Sequence, residues 1–138
     1  RMLGFQAQGA APIVLGKPVD APETVATAIR IGNPASWNGA VAARDESGGV
    51  IEAVSDEEIL EMQLRIARSE GIFCEPASAA GVAGVARMAR EGRVAGSETV
   101  VCILTGHGLK DPDIVSGEEG SMRTIPGDAT AIREAMRL

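Results

Sequence analysis

The stretch Thr99-Val100-Val101-Cys102-Ile103-Leu104, running into Thr105-Gly106-His107-Gly108, constrains this chain more than any other. An apolar, mostly β-branched run breaks directly into a hydroxyl flanked by glycine. A strand covered on both faces reads as a continuous hydrophobic run, and in open α/β sheets small molecules bind just beyond the carboxyl ends of such strands. The expectation is a buried strand over 99–104, with Thr105 at a ligand and Gly106 and Gly108 letting the backbone approach it.

The remaining elements alternate between strand and helix. Leu3 to Ala7 is a predicted strand, followed by a short helix through Ala10 to Val14 with Pro12 in its first turn and Lys17-Pro18 ending it. Glu23 to Arg30 is β-branched and alternating, and leads into a turn at Ile31-Gly32-Asn33-Pro34. Ser36 is placed to cap a helix that Ser47-Gly48-Gly49 stops, and Val50 to Val54 is a second strand. Ser55-Asp56-Glu57-Glu58 is a capping box, so a helix follows and Gly71 closes it. Ile72-Phe73-Cys74 reads as a brief strand. Glu75-Pro76 then opens a helix of small residues on every face, closely approached by other chain, in which Gly81 and Gly84 each cost about 1 kcal/mol against alanine and so imply a packing reason. A last helix is predicted over Ala129 to Met136. This alternation predicts an α/β architecture with a mainly parallel sheet flanked by helices.

Composition narrows the function. A chain of 138 residues suits one domain or part of one, and its 45% apolar but 2% aromatic content implies a core of aliphatic and alanine side chains. The net charge of -6 and a pI near 4.8 argue against nucleic acid, whose binding rests on clustered Lys and Arg. Cys74 and Cys102 lie in apolar runs with no ligand at metal spacing, and both are expected as buried, reduced thiols in a cytoplasmic protein. No apolar stretch approaches the roughly 18 residues of a membrane span, and no signal peptide pattern opens the chain. Arg1-Met2-Leu3-Gly4-Phe5 reads as the inside of a strand, which leads to the expectation that polypeptide precedes it.

Four motifs carry a family resemblance: Ile29-Arg30-Ile31-Gly32-Asn33-Pro34, Ser55-Asp56-Glu57-Glu58-Ile59, Glu70-Gly71-Ile72-Phe73-Cys74-Glu75-Pro76-Ala77-Ser78-Ala79-Ala80, and Leu104-Thr105-Gly106-His107-Gly108-Leu109-Lys110-Asp111. In this order, over roughly residues 1 to 115, they resemble the C-terminal third of the threonine synthases, pyridoxal-phosphate enzymes of the tryptophan synthase β-like fold type. Residues 116 to 138 are then a tail with one helix. The resemblance implies the C-terminal part of the large domain of a fold-type-II enzyme, pyridoxal 5'-phosphate as cofactor, and conversion of O-phospho-L-homoserine and water to L-threonine and phosphate. It also implies a homodimer. Related threonine and serine dehydratases carry similar Glu-Pro-Ala-Ser stretches and form an alternative, as does a non-catalytic α/β binding module. The family's Schiff-base lysine lies in an N-terminal Ser-Phe-Lys-Asp type motif that has no counterpart here. The only lysines, Lys17 and Lys110, sit in turn settings, so no catalytic residue is assigned and the chain alone is expected to be inactive.

The resemblance places the cofactor's pyridine nitrogen against the Thr105 hydroxyl, which can donate to a neutral nitrogen where a carboxylate would favour the protonated ring. The plainer reading is a threonine that ends a strand. Gly106 shapes the loop beside the ring. Glu75 either lies near the cofactor or compensates a helix N-terminus. Ser78 is expected to let two backbones approach, and His107 to be a loop residue. Asn33-Pro34 and Ser36-Trp37 are read as helix capping ahead of a phosphate site.

Overall fold

The computed structural model describes residues 1–111, 114 and 124–136. Its sheet is two parallel strands, β1 (Leu3–Ala7) and β2 (Val50–Val54), in register from Leu3 opposite Val50 to Ala7 opposite Val54. The connection carries the short helix α1 (Pro12–Leu15), a 3-10 turn at Thr27–Ile29, and α2 (Trp37–Glu46). Parallel pairing demands such a long crossover, because a tight hairpin returns the chain antiparallel. Helices α3 (Asp56–Glu70) and α4 (Pro76–Arg90) follow and pack on each other, and α5 (Ala129–Met136) ends the described chain. The boundary expected at 115/116 lies outside the described residues. Among the described residues, no helix is long and apolar enough to cross a membrane.

The local signals act where the chain places them. Glu58 N–H donates to Ser55 Oγ at 3.2 Å while Ser55 N–H donates to Glu58 Oε2 at 2.8 Å, completing the capping box of α3. Gly71 closes the helix with φ +68°, and its N–H reaches the carbonyl of Ala67. Replacing Ser55 with alanine is expected to cost about 1 kcal/mol of stability, read as a shift in urea midpoint. A Ser55→Thr variant keeps the acceptor and should lose far less.

The core is small-residue packing made possible by alanine and glycine. Ala7, Val54, Ile59, Ile66, Cys74, Ala79, Ala80 and Ala83 form one buried cluster, with Phe5 and Leu104 packed against it. A Cβ at Gly84 would overlap the ring of Phe5, which explains the glycine inside α4. Gly81 has nothing within 4 Å of that position, so no packing reason exists for it within the described chain. Arg87, the first charge on α4, ties that helix to β2 and α3: it donates to the carbonyl of Ala53 at 2.7 Å and to the carboxylates of Glu52 and Glu58. Arg93 also contacts Glu52, and that hydrogen bond holds the Glu52 carboxyl below the usual carboxylate range.

Several expectations need correction. Thr99 to Leu104 is not a strand: no backbone group of these residues enters a backbone hydrogen bond, and Val101 and Ile103 are 83% and 78% exposed. The run has the composition for a strand but no neighbour to pair with. For the same reason Cys102 is exposed rather than buried. Cys74 is buried as expected, and burial pushes its thiol up and keeps it protonated. Ile72 to Cys74 forms only one antiparallel bridge, Cys74 to His107. The extended reading of Glu23 to Arg30 gives way to the 3-10 turn, because Thr24 and Thr27 are tied by side-chain bonds to Asp56 and Asp111. Gly16, at φ +69°, ends α1 ahead of Lys17-Pro18, and Ser36 stands at the start of α2 without a side-chain capping bond.

Candidate functional site

Two loop segments meet at the N-terminus of α4. The N–H of Glu75 donates to the carbonyl of Gly106 at 3.0 Å, and the N–H of Gly108 donates to the carbonyl of Phe73 at 3.0 Å. This clamp sets Thr105 beside the first turn of the helix. Pro76 at the first helical position supplies a preset φ and gives up an N–H that the helix does not need. From behind, the buried Gln63 amide donates to the carbonyl of Cys74 at 2.8 Å and holds the segment against α3.

Three side chains converge at the clamp. Ser78 Oγ accepts from the N–H of Gly106 at 3.0 Å and lies 3.3 Å from Thr105 Oγ1. Thr105 Oγ1 donates to Glu75 Oε1 at 3.4 Å. The Glu75 side chain is 2% exposed, and its other oxygen lies 2.6 Å from Lys110 Nζ. That contact is an ion pair off the hydrogen-bonding angle, so Oε2 has no hydrogen-bond partner among the described residues. A buried carboxylate needs such compensation, since desolvating an unpaired charge costs several kcal/mol.

The structure thus brings together all three expected site residues, Thr105, Gly106 and Glu75. Thr105 remains exposed, so its hydroxyl is not sealed in the core. A Cβ on Gly106 would overlap the Glu75 carboxylate, which makes the glycine a requirement of the clamp as well as of the loop. Glu75 makes no side-chain capping bond to α4, which counts against the plain capping role. Ser78 does more than admit a neighbouring backbone, because its hydroxyl orders both Gly106 and Thr105. Lys110 does more than occupy a turn; its pairing with Glu75, across the clamp, has no signal in local sequence. His107 is a loop residue whose Nδ1 accepts from the N–H of Leu109 at 3.2 Å, with its ring edge-on to Phe73.

A cleft of about 480 Å³ lies next to the clamp, lined by Thr24, Thr27, Arg30, Lys110 and Asp111 among others. Three carboxylates, Glu23, Asp56 and Asp111, outnumber its two cations, so its charge balance does not favour a phosphate.

A parallel α/β arrangement with a hydroxyl, a buried ion pair and a glycine clamp at one loop cluster is a small-molecule site of the cofactor-binding type. The family model described as "Pyridoxal-phosphate dependent enzyme" matches residues 1–106, and the chain belongs to that family. It is 54% identical over 138 residues to the threonine synthase of Mycobacterium leprae (strain TN), covering all of this chain and 38% of that protein. The threonine synthase of Bacillus sp. (strain ULM1) is 49% identical, with 99% of this chain and 39% of that protein covered. The chain therefore spans about two fifths of the length of the curated relatives it matches. Among solved structures, a fungal L-serine ammonia-lyase from Rhizomucor miehei superposes with a TM-score of 0.59 at 16% identity, over 84% of this chain and 40% of that one. A threonine deaminase from T.th. gives 0.53 at 22% identity, over 64% and 30%. At these identities the two structures share the fold.

The residues at the clamp fit one wall of a pyridoxal-phosphate site. Thr105 supplies an exposed hydroxyl backed by a buried carboxylate, and Gly106 leaves room beside it. Lys110 is committed to Glu75, and Lys17 is an exposed residue after α1.

Proposed function

We propose that these residues form the C-terminal part of a threonine synthase, which converts O-phospho-L-homoserine and water to L-threonine and phosphate. Identity of 47–54% to threonine synthases, extending over essentially the whole chain, is the observation that carries this reading. The two structural neighbours, a deaminase and an ammonia-lyase, support only the shared fold.

Pyridoxal phosphate, when bound, supplies an electron sink for carbanion chemistry, and the protein contributes orientation and electrostatics. Thr105 is assigned to the ring nitrogen, with Ser78 and Glu75 fixing the direction of its hydroxyl. The carboxylate cannot rotate away freely, because Lys110 holds its other oxygen. Gly106 keeps the wall flat beside the hydroxyl. The lysine that anchors the cofactor belongs to polypeptide outside these 138 residues, so the chain alone should yield no threonine. A homodimer and a cytoplasmic location accompany this reading as family expectations.

The test is product identity with the intact protein. Phosphate release matched by threonine supports the synthase, whereas 2-oxobutanoate from threonine supports a dehydratase. Absence of both, with no cofactor retained, would leave a non-catalytic α/β module. Within the synthase reading, Thr105→Val removes a hydrogen bond to a polar ring and should lower turnover about 10- to 100-fold, the equivalent of roughly 1.5–3 kcal/mol. Unchanged turnover and cofactor affinity would remove Thr105 from the site.

A further inference from the structure

A groove of about 610 Å³ runs between the outer edge of β1 and the extended segment 99–103, with α4 as its floor. One wall is the start of β1, at Met2 and Leu3. The opposite wall presents Val101 and Ile103, both among the most exposed apolar residues of the chain. The floor is a stripe at helical spacing, Ser78, Gly81 and Val85, whose centre is the glycine with nothing within 4 Å.

These features share one explanation. β1 pairs with β2 on one side only, and segment 99–104 makes no backbone hydrogen bond at all. Both borders therefore offer free N–H and C=O groups to the gap, and an unpaired edge is a template for a further strand. The walls are apolar, which suits a strand buried on both faces. The small floor lets a backbone lie close to α4, as Gly84 lets Phe5 lie close on the neighbouring part of that helix. The chain covers only 38% of its M. leprae relative, so ample polypeptide remains to fill the gap.

We infer that the groove receives a β-strand from the part of the same polypeptide outside these 138 residues, placed between β1 and segment 99–104. The inserted strand runs parallel to β1, is apolar on both faces, and passes its smallest side chains over Gly81. Its arrival converts 99–104 from an exposed extended segment into a paired strand and puts Thr105 at a sheet edge. The inference concerns assembly of the domain and holds whichever reaction the intact protein performs.

The intact protein tests it in two ways. Hydrogen exchange of the Val100 to Leu104 amides should be at least about 100-fold slower than in the unfolded chain, as expected for central strands. Separately, Val85→benzoylphenylalanine, photo-activated in a mixture of heavy-isotope and ordinary copies, should cross-link to an apolar peptide outside residues 1–138 within one copy. Cross-links joining heavy to light copies would assign the groove to a second molecule and overturn the inference. So would cross-links confined to the 138 residues, or amides that exchange within tenfold of the unfolded rate. If the Val85 variant fails to fold, alkylation of Cys102 in the wild-type protein decides: slowing at least tenfold in the native state supports the inserted strand, and reaction at the unfolded rate refutes it.

Discussion

Gly106→Ala in the intact protein should lower catalytic efficiency about 100-fold or more, with weaker cofactor retention, while leaving the overall fold recognisable. The added methyl would occupy the space of the Glu75 carboxylate. Glu75 has no easy retreat. Its side chain is buried, one oxygen is paired with Lys110, and the other accepts from Thr105. Displacing it disturbs both the hydroxyl and the bond between the Gly106 N–H and Ser78. A shift of about 1 Å in a positioned group can cost about 100-fold in rate, whereas overpacking in itself costs about 1–3 kcal/mol of stability. Steady-state kinetics, cofactor absorbance and a urea titration together check the split between these effects. Full activity with intact cofactor binding would show that the clamp plays no part in catalysis. Gly127→Ala is the matched control, since nothing lies within 4 Å of its Cβ position.

Ile59→Ala should be the most destabilising of the simple truncations, by about 2–5 kcal/mol. Ile59 is 0% exposed in the first turns of α3 and belongs to the cluster that joins this helix to α4 and β2. Removing three carbons leaves a cavity among alanines, which have no length with which to fill it. Against a total stability of about 5–15 kcal/mol for a typical domain, that loss is large. Denaturant midpoints of the intact protein measure it, and Glu61→Ala on the exposed side of α3 should stay within about 0.5 kcal/mol. Equal effects from both variants would mean that the cluster is not what holds α3 in place.

Much of the framework was legible in the sequence. The capping box, Gly71 and the Glu75-Pro76 start bound α3 and α4 through bonds made within a few residues, so the local sequence contains both partners. Strands β1 and β2 and the final helix fall where their patterns place them. The family motifs likewise pointed to Thr105, Gly106 and Glu75 as neighbours at one site.

The roles of Lys110 and Ser78 were not legible, because each depends on a contact across 28 to 35 residues that no local pattern encodes. The same limit explains the run 99–104. Its side chains specify a strand, but a strand is satisfied only by hydrogen bonds to another segment, and the described chain offers it none. Sequence alone therefore determined the helices, their caps and the residue types at the clamp, all of which are set by short-range chemistry. Tertiary structure alone decided which carboxylate meets which ammonium and which apolar run remains unpaired, because those outcomes depend on what the fold brings alongside.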